Sequence, residues 1–124
     1  MTVHSWRVLG ATGFIGSAIT TALRSRDVQV TPVATPRLAS PATTVHHVIE
    51  HAQRLESVID YLAESFAGAD TVVNAAGLAA PDQTHQQSLT GANALLPVLV
   101  ALAAHRTGVR RKCLGQADKD LPVM

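Results

Sequence analysis

The chain has 124 residues, 47% of them apolar, 15% charged and 3% aromatic, with a formal net charge of +1. This composition excludes a disordered chain and predicts one globular domain whose core is filled by Ala, Val, Leu and Ile rather than by aromatic rings. The near-neutral balance argues against nucleic-acid and membrane surfaces, and the single cysteine, Cys113, excludes an internal disulfide and suits a reducing compartment, so a cytoplasmic protein is expected.

In chain order, Trp6–Leu9 reads as a short strand that runs straight into the glycine-rich stretch Gly10–Gly16. Ile15, Ile19, Ala22 and Leu23 then recur at helical spacing, which predicts a helix to about Ser25. Val28–Ala34 reads as a second strand, with a bulge or an unpaired position expected at Pro32 because proline brings no ladder donor. Thr35–Ala42, with Pro36 and Pro41, is a loop. The β-branched stretch Thr43–Ile49 predicts a third strand, and Leu55, Ile59, Leu62 and Phe66 mark a helix face ending near Gly68. Asp70–Ala76 holds the strand Thr71-Val72-Val73, and Gly77–Ser88 is a polar loop. A long apolar helix follows from about Leu89 to Arg106, closed by Gly108. It contains the longest apolar run, Ala94–Ala104, which Pro97 interrupts short of the roughly 20 residues of a bilayer span. No leader pattern opens the chain, so no signal peptide is expected.

Alternating strands and helices predict an α/β fold: a Rossmann-type, doubly wound parallel sheet of order 3-2-1-4 with right-handed crossovers. A fifth strand is due after Arg111, and the composition of residues 112–124 does not supply one. The predicted organisation is therefore a domain over 1–111 and an irregular tail over 112–124. The abrupt change suggests a truncated or frame-shifted product.

A glycine triplet between strand and helix has a physical purpose. Gly10 allows a sharp turn, Gly13 allows a backbone to approach a pyrophosphate, and Gly16 allows helix and strand to pack closely. The helix N-terminus then offers free N–H groups and a positive dipole end to the phosphates. With Ala11-Thr12 and Phe14-Ile15 between the glycines, the Gly-x-x-Gly-x-x-Gly spacing resembles the extended short-chain dehydrogenase/reductases, the NAD-dependent epimerase/dehydratase family. Asp70–Gly77 is similar to that family's fourth strand with its Asn-Ala-Gly turn, here Asn74, Ala75, Ala76 and Gly77. Asn93 lies fifteen residues before Gly108, and Gly108-Val109-Arg110-Arg111 resembles the lead-in to the next strand. The likeness covers about residues 3–111.

The resemblance implies cofactor contact by Gly10, Ala11, Thr12, Gly13, Phe14, Ile15, Gly16, the Asn74–Gly77 turn and Asn93. Asn74 has a second reading, as a residue that simply bonds the strand end. Pro97 has no N–H for the Asn93 carbonyl, which an α-helix would leave free. Related enzymes hold a water of the proton relay on such a carbonyl; a packing kink is the alternative. An NAD-type domain places an acid at the end of the second strand to bond the ribose 2′-OH. Here Ala34-Thr35-Pro36-Arg37 offers no acid, and Arg37 favours the 2′-phosphate of NADP over NAD unless it is a solvated loop arginine. Glu50, before His51-Ala52, is the candidate for the family's acid beside the adenine.

The family's catalytic tyrosine is followed four residues later by a lysine, with a serine or threonine nearby. The only tyrosine, Tyr61, has Ser65 at that offset, and the fifth-strand region reads Gly115-Gln116-Ala117. No catalytic residue is assigned. A metal site is not expected either, because His46 and His47 would face opposite ways on a strand and His51 stands apart. The expected function is that of an NAD(P)-binding fragment, the cofactor half of an epimerase, dehydratase or reductase, not catalytic alone. The alternative is a regulatory module that senses the nicotinamide dinucleotide. Self-association through an unpaired sheet edge is the one protein contact expected.

Overall fold

The computed structural model describes residues 4–77, 86–109 and 111–114. Four parallel strands form one sheet: β1 (Ser5–Leu9), β2 (Gln29–Val33), β3 (Thr71–Asn74) and β4 (Arg111–Leu114), in the order β2-β1-β3-β4. The helices are α1 (Phe14–Arg24), α2 (Val45–Arg54), α3 (Glu56–Phe66) and a continuous helix of 22 residues, α4 (Gln86–Thr107). The step from β1 to β2 runs in one direction and the step from β2 to β3 in the other. Right-handed crossovers therefore put α1 on one face and α2, α3 and α4 on the opposite face. This is the doubly wound α/β arrangement of the Rossmann type.

Period-two alternation sorts the strand side chains between the faces. Leu9, Val33 and Val72 join the main core with Ile59, Leu62 and Phe66 of α3 and Leu95, Leu99, Val100 and Ala103 of α4. Small residues let these layers approach closely, and among the described residues Phe66 is the only aromatic side chain in the core. An Arg106–Asp60 ion pair ties α4 to α3 on the outside. The hydropathy of α4 would suit a membrane-crossing helix by length and composition, and its burial against α3 accounts for the apolar face. Gly108 closes it in the left-handed conformation at φ 73°, as its position predicts.

Three sequence expectations are corrected. The stretch Thr43–Ile49 is not a strand: α2 begins at Val45, with the Thr44 side chain accepting the His47 N–H at 3.2 Å. Val48 and Ala52, four apart, are buried, so helical periodicity and packing on α4 outweigh the β-branched composition. With that strand absent, β2 is an edge, and Pro32 sits in unbroken register with Val8 rather than in a bulge. The expected irregular tail begins instead with β4, which pairs Lys112 with Val72 and Cys113 with Val73. Residues 115–124 and the middle of the expected Gly77–Ser88 loop lie outside the described residues.

Pro97 also reshapes α4. The Leu96 N–H reaches the Gly91 carbonyl, five residues back, so Gly91–Leu95 forms a π-helical turn just before the proline. Asn93 lies within that turn and is partnered.

Candidate functional site

The loop between β1 and α1 is built on three glycines with different surroundings. Gly10 has φ +76°, and a Cβ there would lie 2.7 Å from the Ala76 nitrogen. A Cβ on Gly16 would lie 1.8 Å from the Gly10 carbonyl oxygen, so helix and loop meet backbone to backbone. A Cβ on Gly13 would meet only the Gly10 carbonyl oxygen, at 3.4 Å. Among the described residues, nothing else comes within 4 Å of that position. Gly13 is the N-cap of α1 and has no side chain to cap the helix, and the first turn carries no acid. The first helical bond runs from the Ser17 N–H to the Gly13 carbonyl at 2.8 Å. The N–H groups of Phe14, Ile15 and Gly16 precede it, and a helix gives such groups no internal partner.

A cleft of about 630 Å³ opens beside this loop, at the C-terminal ends of β1, β2 and β3. Gly10, Thr12 and Gly13 form one wall. The second wall is the turn after β3, Ala75, Ala76 and Gly77. Asn74 shapes this turn: it is 2% exposed, and its Oδ1 accepts the Ala76 N–H at 3.0 Å. The Ala75 N–H bonds the Leu9 carbonyl at 2.9 Å, tying the turn to the end of β1. The third wall is Thr35–Leu38, and Ser88, Ala92 and Leu96 of α4 form the fourth. Arg37 is exposed, and among the described residues no hydrogen bond or ion pair engages it. The volume falls within the range of small-molecule and cofactor sites, roughly 300–1,000 Å³.

Of the residues singled out in the sequence, the cleft gathers Gly10, Thr12, Gly13, Arg37, Ala75, Ala76 and Gly77. Ala11, Phe14, Ile15, Gly16, Asn74 and Asn93 do not line it. Phe14 and Ile15 point outward from the start of α1, 92% and 53% exposed. Sequence reasoning missed the α4 wall. Ser88, Ala92 and Leu96 recur every four residues, a helical stripe with small residues at its first two positions that could have marked it.

Groups with chemical potential lie elsewhere. The Tyr61 hydroxyl donates to the Ala34 carbonyl at 2.7 Å, and Ser65 bonds back to the Tyr61 carbonyl within α3. Glu50 is not at a strand end beside the cleft; it lies on α2 with its carboxylate 3.4 Å from His46. The strand argument about histidines does not apply on α2, where His47 and His51, four apart, share a face. The His51 Nδ1 is hydrogen-bonded to the Ser40 hydroxyl at 2.8 Å, and among the described residues no three potential ligands gather into a metal site.

The NAD dependent epimerase/dehydratase family model matches residues 6–116. No curated protein matches the chain. Among solved structures, uronate dehydrogenase from Agrobacterium tumefaciens superposes with a TM-score of 0.61 at 17% identity, over 92% of this chain and 41% of that one. UDP-rhamnose synthase L780 from Acanthamoeba polyphaga mimivirus gives 0.63 at 15% identity, over 91% and 37%. A short-chain dehydrogenase/reductase superfamily protein from Agrobacterium tumefaciens with bound NAD gives 0.56 at 20%, over 90% and 32%. At these identities the likeness is one of fold, and the chain spans about two fifths or less of each of these structures.

Proposed function

The chain belongs to the NAD-dependent epimerase/dehydratase family, and on that premise we propose that it binds a nicotinamide dinucleotide in the cleft between the glycine loop and the turn after β3. The observation that carries this reading is the side of Gly13 that the described residues leave open, at a helix start whose N–H groups have no internal partner. Two of the solved relatives of this fold, a mutant uronate dehydrogenase and the superfamily protein above, are complexed with NAD. Gly10, Thr12 and Gly13 would hold the pyrophosphate, and Ala75, Ala76 and Gly77 would lie along the nicotinamide half. Asn74 contributes by folding that turn. When bound, the dinucleotide supplies hydride-transfer chemistry.

Arg37 argues for NADP over NAD. It stands exposed four residues beyond β2, unpaired among the described residues, on the cleft wall where an acid would otherwise meet the ribose. Turnover by the chain alone is not part of this reading. Tyr61 spends its hydroxyl on Ala34, and Ser65 stands where the lysine would be. The chain is read as the cofactor half of an oxidoreductase or epimerase, whose substrate site would come from sequence beyond the match. An outer edge of its sheet is read as a site of self-association.

Calorimetric titration of the purified chain with NAD, NADH, NADP and NADPH tests the reading. Binding is expected, and Gly13→Val is expected to abolish it while the helical signal persists. Arg37→Ala is expected to weaken NADP by about 1.5–3 kcal/mol and to leave NAD nearly unchanged. Equal affinity in wild type and Gly13→Val would refute the cleft, and parallel losses for both cofactors would refute the role of Arg37.

A further inference from the structure

The segment from Ala34 to Thr44 leaves β2, forms one wall of the cleft through Thr35–Leu38, and crosses to α4 before α2 begins. It has no secondary structure of its own, yet it is fastened at separate points. At its start the Ala34 carbonyl accepts the Tyr61 hydroxyl. In its middle, the backbone rests on Gly91 of α4. A Cβ on Gly91 would lie 2.1 Å from the Leu38 carbonyl oxygen and 2.7 Å from the Ala39 nitrogen. Next, the Ser40 N–H donates to the Gln87 carbonyl at 2.9 Å. Ser40 is 1% exposed, and its hydroxyl holds both the His51 Nδ1, at 2.8 Å, and the Ala42 N–H, at 3.2 Å.

Glycine inside a helix is otherwise unfavourable, because alanine loses less backbone entropy there. The close approach of the strap accounts for it. A buried serine must likewise have partners, and those of Ser40 come from three directions: α2, α4 and the strap itself. Arg37 lies between the two anchors, three residues after Ala34 and one before Leu38. Its stem direction is set by a backbone pinned on both sides.

We propose that Gly91, Ser40 and His51 are positioning residues for cofactor choice: they latch the strap 34–44 onto α4 and α2 and so hold the Arg37 guanidinium at the cleft, where it meets the 2′-phosphate of a dinucleotide. The proposal rests on the binding reading above. Arg37 supplies the charge, and the latch supplies its place. A long, flexible side chain on a loose loop would lose conformational freedom on meeting a phosphate; on a latched loop less is lost.

Two measurements on the intact chain test this. The first needs no cofactor: limited tryptic cleavage at the Arg37–Leu38 bond, compared with cleavage after Arg26 in the same digest. Gly91→Ala, Ser40→Ala and His51→Ala are expected to speed the strap cut about tenfold relative to the reference cut. A variant that merely destabilises the whole chain speeds both together, and that result would overturn the latch. The second is the ratio of NADP to NAD affinity, expected to fall about tenfold in the same variants. His51→Asn, whose amide places a polar atom where Nδ1 stands, is expected to restore most of it. An unchanged ratio beside a faster strap cut would overturn the link to cofactor choice while the binding reading stands. A wild-type chain that binds neither dinucleotide overturns both readings at once.

Discussion

Gly16 and Gly13 are three residues apart in one loop and are required for different reasons. Gly16 faces backbone: a methyl group would lie 1.8 Å from the Gly10 carbonyl oxygen, so strand end and helix start would have to separate. Gly13 has an ordinary φ of −75° and faces an open cleft. Chemical denaturation should therefore separate them. Gly16→Ala is expected to cost about 1–3 kcal/mol, the range for overpacking a close contact. Gly13→Ala is expected to fall within about 0.5 kcal/mol of wild type. Equal costs would mean that the loop is held by something other than the Gly10–Gly16 contact. The triplet was legible in the sequence because its strand and helix context is local. The orientation of Asn74 was not: whether an asparagine at a strand end turns to a ligand or to its own backbone depends on the turn that follows. Here the Ala76 N–H, two residues on, takes it.

At the scale of elements, the same distinction between local and distant causes separates what could be read from what could not. β1, α1, β3 and the last apolar helix announce themselves by period and by glycine punctuation. The stretch around Val45 carries both patterns: β-branched residues at Thr43, Thr44, Val45, Val48 and Ile49, and helical spacing through Val45, Val48, Ala52. Packing on α4 decides between them, and that contact joins residues far apart in sequence. Local composition cannot show it. The cap then fixes where α2 begins. Thr44→Ala removes the acceptor for the His47 N–H and is expected to cost about 1 kcal/mol, whereas Thr44→Ser should cost only a fraction of that. Urea midpoints at constant slope measure both. A Thr44→Ala variant as stable as wild type would mean that α2 is held by the burial of Val48 and Ala52 alone.

At the scale of the whole molecule, the described residues cover the two sides of the sheet unequally. α2, α3 and α4 pack together over one face, whereas α1 makes its main contacts with β1 and β2 and buries only Gly16 and Thr20. Among the described residues, the sheet also ends in two outer strands, β2 and β4. An outer strand presents backbone donors and acceptors that another strand can pair with. The two edges differ. β2 carries Pro32, and a proline tolerated in an edge strand turns its missing donor outward, so that ladder is interrupted. β4, Arg111–Leu114, has no proline. Association of two copies is therefore expected through β4 rather than β2, and it should follow mass action. Sedimentation across a hundredfold range of concentration should show the change in mass. Hydrogen exchange at the same concentrations should show added protection in the amides of 111–114 and none in those of 29–33. Protection appearing at β2 would mean that Pro32 does not guard its edge. A mass independent of concentration would mean that the β4 edge is covered by part of this same chain.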